Sequence, residues 1–211
     1  MEIWLVRHAV TEANLEGRLQ GQLEYPLSRK GRGEALCLAR RLKNQPFSAF
    51  FSSDLQRTRE TARLISSLRK DPCPLYSPLL QEYCWGIIQG LTRNEIRARY
   101  PHLFNRLQQD FYHTEIPGAE GLEGLFRRVK IFYRFLSRFA ERTRSSRPVL
   151  IVSHGRFLQA FVIYFLKYDH REFWPFSFNP ASLTILEGDF KEKRRLKLFN
   201  DTCHLEHFRS S

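Results

Sequence analysis

Four cysteines in 211 residues, none in a CxxC pair, give no disulfide framework and no thiolate metal knuckle. Cys37, Cys73, Cys84 and Cys203 therefore read as reduced thiols. The seven histidines include no HExxH and no other ligand spacing, so neither a metal site nor a cofactor is expected. Long apolar runs are also missing. The best candidate, Phe157 to Leu166, falls far short of the ~20 residues that cross a bilayer and contains Gln159. At the N-terminus Arg7 arrives after a short apolar stretch with no basic flank, which does not suit a signal peptide; a cytoplasmic location and no membrane partner are expected. No repeat, low-complexity tract or linker interrupts the chain, and one domain over residues 1–211 is expected.

What is present is a core-forming sequence. Hydrophobic residues at 42% and aromatics at 14% exclude a disordered chain. The net charge of +12 raises the question of nucleic acid. Much of that charge lies between Phe126 and Arg147 and between Lys191 and Lys197. In the first segment Leu125, Val129, Phe132, Leu136 and Phe139 recur at helical spacing, so the residues around 125–142 read as an amphipathic helix with its cationic side in water. A small anionic substrate, not nucleic acid, is the expected partner, and the chain is expected to be a monomer or homodimer.

Strand and helix patterns alternate. Glu2–Val6, Ala49–Ser53 and Val149–Ser153 are short apolar strands. Ser28–Leu42 reads as a helix with a Ser cap and Ala35, Leu38, Ala39 and Leu42 on one face. Asp54–Leu68 reads as a helix opened by a capping Asp, with Leu55, Thr58, Ala62, Ile65 and Leu68 inward. A helix follows Val149–Ser153, and Ser182–Leu186 with Arg195–Asn200 form a late hairpin turning near Gly188-Asp189. The expected fold is an α/β three-layer sandwich, a mostly parallel sheet flanked by helices. Residues 80–124, with a helix at Thr92–Tyr100, read as an elaboration over the sheet edge.

In such sheets ligands sit beyond the carboxyl ends of the strands. The first strand ends on Arg7-His8. The second runs through Ser52-Ser53 into a helix carrying Arg57, and the third ends on Ser153-His154-Gly155. Two arginines and two histidines at one rim suit a tetrahedral dianion: the guanidinium fork matches phosphate oxygens, and neutral imidazole is a competent nucleophile near pH 7.

These residues resemble the histidine phosphatase superfamily, the phosphoglycerate-mutase-like proteins. "RHAVTEAN" resembles the family's RHG signature, and "GRLQGQLEYPLSRKG" its phosphate loop and following helix start. "SSDLQRTRETA" is similar to the second arginine motif and "VSHG" to the second histidine motif. "LLQEYCWGIIQGLTRNEI" resembles the segment bearing the acid, "PGAEGLEGLFRRV" the "PGGES…RV" stretch, and "NPASLTIL" the late asparagine-serine strand. The resemblance covers nearly the whole chain and implies a phosphoglycerate-mutase-like fold, closest in pattern to α-ribazole-phosphate and broad-specificity phosphatases.

It further implies that His8 is the nucleophile and Glu82 the acid–base residue. Arg7, Arg57 and His154 would hold the phosphoryl oxygens, and Asn14, Gln20, Gly21 and Gly155 would add phosphate or substrate contacts. Ala9 stands in place of the motif glycine. Ile88-Gln89 stand where many members carry Trp-Glu, and Gly121 where many carry Ser; the last two changes are expected near the substrate mouth. The implied activity is a phosphoric monoester hydrolase that acts on small phosphorylated metabolites without a metal, through a phosphohistidine. Its rivals are a 2,3-bisphosphoglycerate-dependent phosphoglycerate mutase and a non-catalytic module binding a phospho-ligand or RNA.

Overall fold

In strand β1 (Glu2–Arg7) the side chains of Ile3 and Leu5 pack to one side of the sheet and Trp4 and Val6 to the other. A strand with apolar residues on both faces must be covered on both. The computed structural model describes residues 1–70, 72–169, 175–190 and 193–209; Lys191 and Glu192 of the second basic segment lie outside them. After β1 come α1 (Glu12–Leu15), α2 (Arg29–Leu42), β2 (Ala49–Ser52), α3 (Gln56–Ser67) and β3 (Leu75–Tyr76). Next are α4 (Arg93–Arg99), α5 (Pro101–Gln109) and α6 (Gly121–Thr143). The chain continues through β4 (Val149–Ser153), α7 (Gly155–Leu166), β5 (Leu183–Gly188), β6 (Arg194–Asp201) and α8 (Glu206–Arg209).

The strands lie in the order β3-β2-β4-β1-β5-β6. Pairings from β3 to β1 are parallel, while β5 joins β1, and β6 joins β5, antiparallel. On one face Val6, Phe50, Leu150 and Val152 pack with Leu38 and Leu42 of α2 and with Ala62 and Ile65 of α3. On the other, Ile3, Leu5, Phe51 and Ile151 pack with Leu125, Val129, Phe132 and Leu136 of α6 and with Phe157 and Phe161 of α7. The mostly parallel sheet flanked by helices is the α/β architecture expected from the strand–helix alternation. Helix α2 begins where expected: the Ser28 hydroxyl accepts the Gly31 N–H at 3.0 Å and donates to the Val10 carbonyl at 3.1 Å. Gly31 is required there, because a Cβ would stand 1.9 Å from the Val10 oxygen.

Three expectations need correction. Asp54 is not the cap of α3. The helix starts two residues later, Leu55 at its N-cap makes no side-chain bond, and the Gln56 N–H is taken by Glu24 Oε2 at 2.6 Å. Asp54 instead accepts from Gln81 Nε2 at 2.9 Å. Leu68 is 36% exposed and is not an inward residue, because α3 ends before it. Residues 80–124 do more than cover a sheet edge. Leu80, Tyr83, Trp85, Ile88, Ile96, Leu103 and Ile116 are buried in the same cluster as α6 and α7. The amphipathic helix is as expected for Arg127, Lys130, Arg134 and Arg138, which face water.

Candidate active site

Strand register assembles the site. Arg7 lies opposite Ser153, and Ser52 opposite Val152. The ladder runs one step further on each side: the His8 N–H donates to the Ser153 carbonyl and the Ser53 N–H to the Val152 carbonyl, both at 3.0 Å. His8, Ser53 and His154 therefore leave the sheet side by side. The rings of His8 and His154 have centroids 5.2 Å apart, and His154 Nε2 is 2.8 Å from Ser53 Oγ.

Two buried guanidinium groups surround the imidazoles. Arg57 is 0% exposed; Nη1 donates to the Leu23 carbonyl at 2.8 Å and Nη2 to the Gly21 carbonyl at 2.6 Å. Arg7 Nη1 donates to the Phe178 carbonyl at 2.5 Å. Among the described residues, Nε of neither arginine has a hydrogen-bond partner. An orphaned buried donor is costly unless a ligand takes it, and here two of them border one cavity. Burial pushes the Arg57 pKa down to about 10 and lowers that of Arg7, but both stay charged at neutral pH. Gly21, at φ +53°, lets the loop turn so that its carbonyl meets Arg57 while Gln89 packs against it.

Burial, and then the charges of Arg57 and Arg7, hold the His8 imidazole well below its ordinary 6.5. Its Nδ1 lies 2.8 Å from the Ala9 carbonyl. A carbonyl can only accept, so the proton sits on Nδ1 and the lone pair is on Nε2. Burial, then Arg57, likewise holds His154 well below 6.5. His154 is fully buried beneath the cavity wall, and its Nδ1 has no hydrogen-bond partner among the described residues.

Glu82 approaches from the other direction. Its Oε1 accepts the N–H groups of Tyr83, Arg156 and Phe157 at 2.9, 3.1 and 3.2 Å, so it caps the start of α7. The segment bearing it is fixed by Arg128, the one cation of the amphipathic face that turns inward. Arg128 donates to the carbonyls of Leu79 and Gln81 at 3.0 and 2.8 Å, and to both Glu120 oxygens at 2.9 and 2.6 Å.

The resulting cavity has a volume of about 280 Å³. Of the residues singled out in the sequence, Arg7, His8, Asn14, Gln20, Gly21, Arg57, Glu82 and Gly155 line it, and His154 lies behind. Asn14 is also structural, since its Oδ1 accepts from the Thr11 N–H at 3.1 Å to complete the capping box of α1. Gln20 Oε1 has no hydrogen-bond partner among the described residues. Sequence reasoning missed Arg18, Arg156, Gln159 and Ser177 on the same wall. Arg156 was legible in principle, since it follows Gly155 directly in the first turn of α7.

The sequence profile described as "Histidine phosphatase superfamily (branch 1)" matches residues 3–202. The chain belongs to the histidine phosphatase superfamily. As a histidine phosphatase it is a phosphoric monoester hydrolase. It is 32% identical to phosphoserine phosphatase 1 of Hydrogenobacter thermophilus over 99% of this chain and 96% of that protein. It is 31% identical to the adenosylcobalamin/alpha-ribazole phosphatase of Salmonella typhimurium, over 89% of this chain and 92% of that one. The alpha-ribazole phosphatase structure from Shigella flexneri superposes with a TM-score of 0.84 at 26% identity, covering 96% of this chain and 97% of that one.

Against the histidine phosphatase pattern, Ala9 is fully buried and its N–H donates to Thr61 Oγ1 at 3.2 Å. Ile88, Gln89 and Gly121, expected near the substrate mouth, are not among the residues that line the cavity, although Gln89 packs against Gly21, which is. Ile88 is core, because its short helical turn packs it inward. Gln89 acts from behind: its Oε1 accepts the Gln22 N–H at 2.8 Å, holding the loop that carries Gln20 and Gly21.

Proposed function

We propose that this histidine phosphatase hydrolyses small phosphorylated metabolites without a metal, in two steps through a phosphohistidine at His8. One observation carries it: two buried arginines, each with an unpartnered Nε, border the cavity beside an imidazole whose lone pair is on Nε2. In the first step the Nε2 lone pair attacks phosphorus, the ester P–O bond breaks, and Glu82 protonates the departing oxygen. In the second, Glu82 takes a proton from water, the water oxygen bonds to phosphorus, and the N–P bond breaks. Arg7 and Arg57 neutralise the equatorial oxygens throughout. His154 supports them from beneath and meets a phosphoryl oxygen only when the group seats deeply. Asn14, Gln20, Gly21 and the N–H at Gly155 complete the cradle. The enzyme so described is cytoplasmic, with residues 80–124 forming the specificity-determining part of one domain. The relatives' names, phosphoserine phosphatase and adenosylcobalamin/alpha-ribazole phosphatase, support phosphomonoester hydrolysis, and phosphoserine is a small phosphomonoester of this class.

Turnover of p-nitrophenyl phosphate in EDTA, followed with rapid acid and alkaline quenches, tests this reading. Turnover should persist, with an acid-labile, base-stable phosphoenzyme that His8→Ala abolishes. A phosphoenzyme surviving in His8→Ala overturns the nucleophile assignment, and the absence of any turnover would favour a binding module. With 3-phosphoglycerate and catalytic 2,3-bisphosphoglycerate, isomer formed faster than free phosphate would make the chain a mutase.

A further inference from the structure

The solvent side of α6 is not an ordinary charged helix face. Arg127, Lys130, Arg134, Arg138 and Arg142 are all exposed, against two acids in the whole helix, Glu123 and Glu141. With 3.6 residues per turn these cations fall within an arc of about 120°. Arg127 reaches Glu123 at 3.1 Å, but both groups are exposed and such pairs contribute little. The other four side chains have no carboxylate partner among the described residues. They stand four positions apart, so each neighbouring pair repels. A helix face built only to be solvated would alternate the two signs of charge, and this one does not.

Apolar side chains flank the same arc. Ile131 and Phe135 are 47% and 45% exposed. Phe135 leans on Phe51 of β2, with ring centroids 5.4 Å apart. Leu75, 59% exposed on the edge strand β3, is the register partner of Phe51 and so projects from the same face of the sheet. The cations therefore border an exposed apolar strip of Leu75, Phe135 and Ile131. Their occupant must be anionic, which excludes a second copy of this face. A peptide would need a groove, whereas the outer side of a helix is a ridge. Single-stranded nucleic acid would need free aromatic faces, but the Phe135 ring is engaged with Phe51 and Phe132, and aliphatic side chains do not stack on bases. A lipid surface suits both features, since headgroups meet the cations and the acyl boundary takes the apolar side chains.

We propose that the outer face of α6, with Leu75 of β3, docks the protein on an anionic membrane surface. No described helix is long and apolar enough to cross a membrane, and a helix lying along a surface needs no such run. None of these residues lines the cavity at His8, so the proposal is independent of the phosphatase reading.

Flotation of the full chain with vesicles tests it, using phosphatidylcholine alone or with about 30% phosphatidylglycerol, at low and high salt. The wild type should float with the anionic vesicles alone, and less so at high salt. Arg134→Ser combined with Arg138→Ser should lower the partition coefficient by about 10–30-fold. Arg40→Ser with Lys43→Ser removes two exposed cations of α2, on the opposite face, and should lower it by less than about 3-fold. Ile131→Ser should lower it by about 3–10-fold without altering the salt dependence. Circular dichroism matching the wild type confirms that each variant is folded. Absence of wild-type binding to the anionic vesicles would overturn the proposal, as would equal losses in the α6 and α2 double variants. Unchanged binding in Ile131→Ser would leave the apolar strip without a role and overturn it too. Tighter binding to a mixed-sequence single-stranded RNA than to the anionic vesicles would replace it with a nucleic-acid face.

Discussion

Glu82 borders the cavity while its carboxylate is bonded to three backbone N–H groups, those of Tyr83, Arg156 and Phe157. Replacing it by Gln keeps an acceptor for those donors and removes only the transferable proton. The change should therefore slow esters according to their leaving group. An alkoxide needs a proton as it departs, whereas p-nitrophenolate does not. We expect Glu82→Gln to lower kcat for an alkyl phosphate by about 10²–10⁴-fold, the usual contribution of general acid catalysis, and to spare p-nitrophenyl phosphate by comparison. Equal losses on the two would assign Glu82 another role. Single residues were legible in the sequence where they stand next to a strand end, as Arg7, His8 and His154 do, because the end of an apolar run is a local signal. Arg128 was not. It acts by holding other residues, and the carbonyls it holds belong to a segment 46 to 49 positions away in the chain.

Helices α3 and α7 both start at the site, and at neither does the N-cap side chain bond its own helix. Their first free N–H groups are taken by carboxylates from other segments, Glu24 at α3 and Glu82 at α7. This explains why the start of α3 was misread at Asp54: a cap rule looks one to three residues along the chain, and here the acceptor is 32 residues away. Where caps are local, as at Ser28 and Thr92, the helix starts follow from sequence. The strands were equally legible, since a short apolar run is a property of neighbours. Capping from a distance also makes an element-level prediction. Glu82→Ala should destabilise the fold by about 0.5–2 kcal/mol, the usual cost of losing a cap, or a few degrees in Tm. Glu82→Gln should melt near the wild type. Identical melting of the two variants would mean that α7 does not depend on the Glu82 acceptor.

For the whole molecule, the two buried imidazoles tie folding to pH. Burial and then Arg57 hold both His8 and His154 well below 6.5. As the pH falls through about 6.5, histidines in the unfolded chain take up protons while these two in the folded chain do not. The unfolded state then binds more protons, and stability declines as the pH drops. The loss begins at the unfolded value and continues down to the folded ones, at up to about 1.4 kcal/mol per pH unit for each histidine. Hydrogen-bonded carboxylates such as Glu95, held below 4.5 by the Thr92 N–H, respond only at lower pH. The interval from pH 6.5 to 5 therefore reports on the site. Sulfate, which stays a dianion throughout this interval, should weaken the decline, because a dianion between Arg7 and Arg57 favours the protonated imidazoles and binds only the folded chain. Denaturant unfolding at pH 7.5, 6.5 and 5.5, with and without sulfate, measures both effects. His154→Gln should show a shallower fall from pH 6.5 to 5.5 than the wild type, whatever its absolute stability. A slope unchanged by that substitution and by sulfate would show that the two histidines do not set the acid limit of this fold.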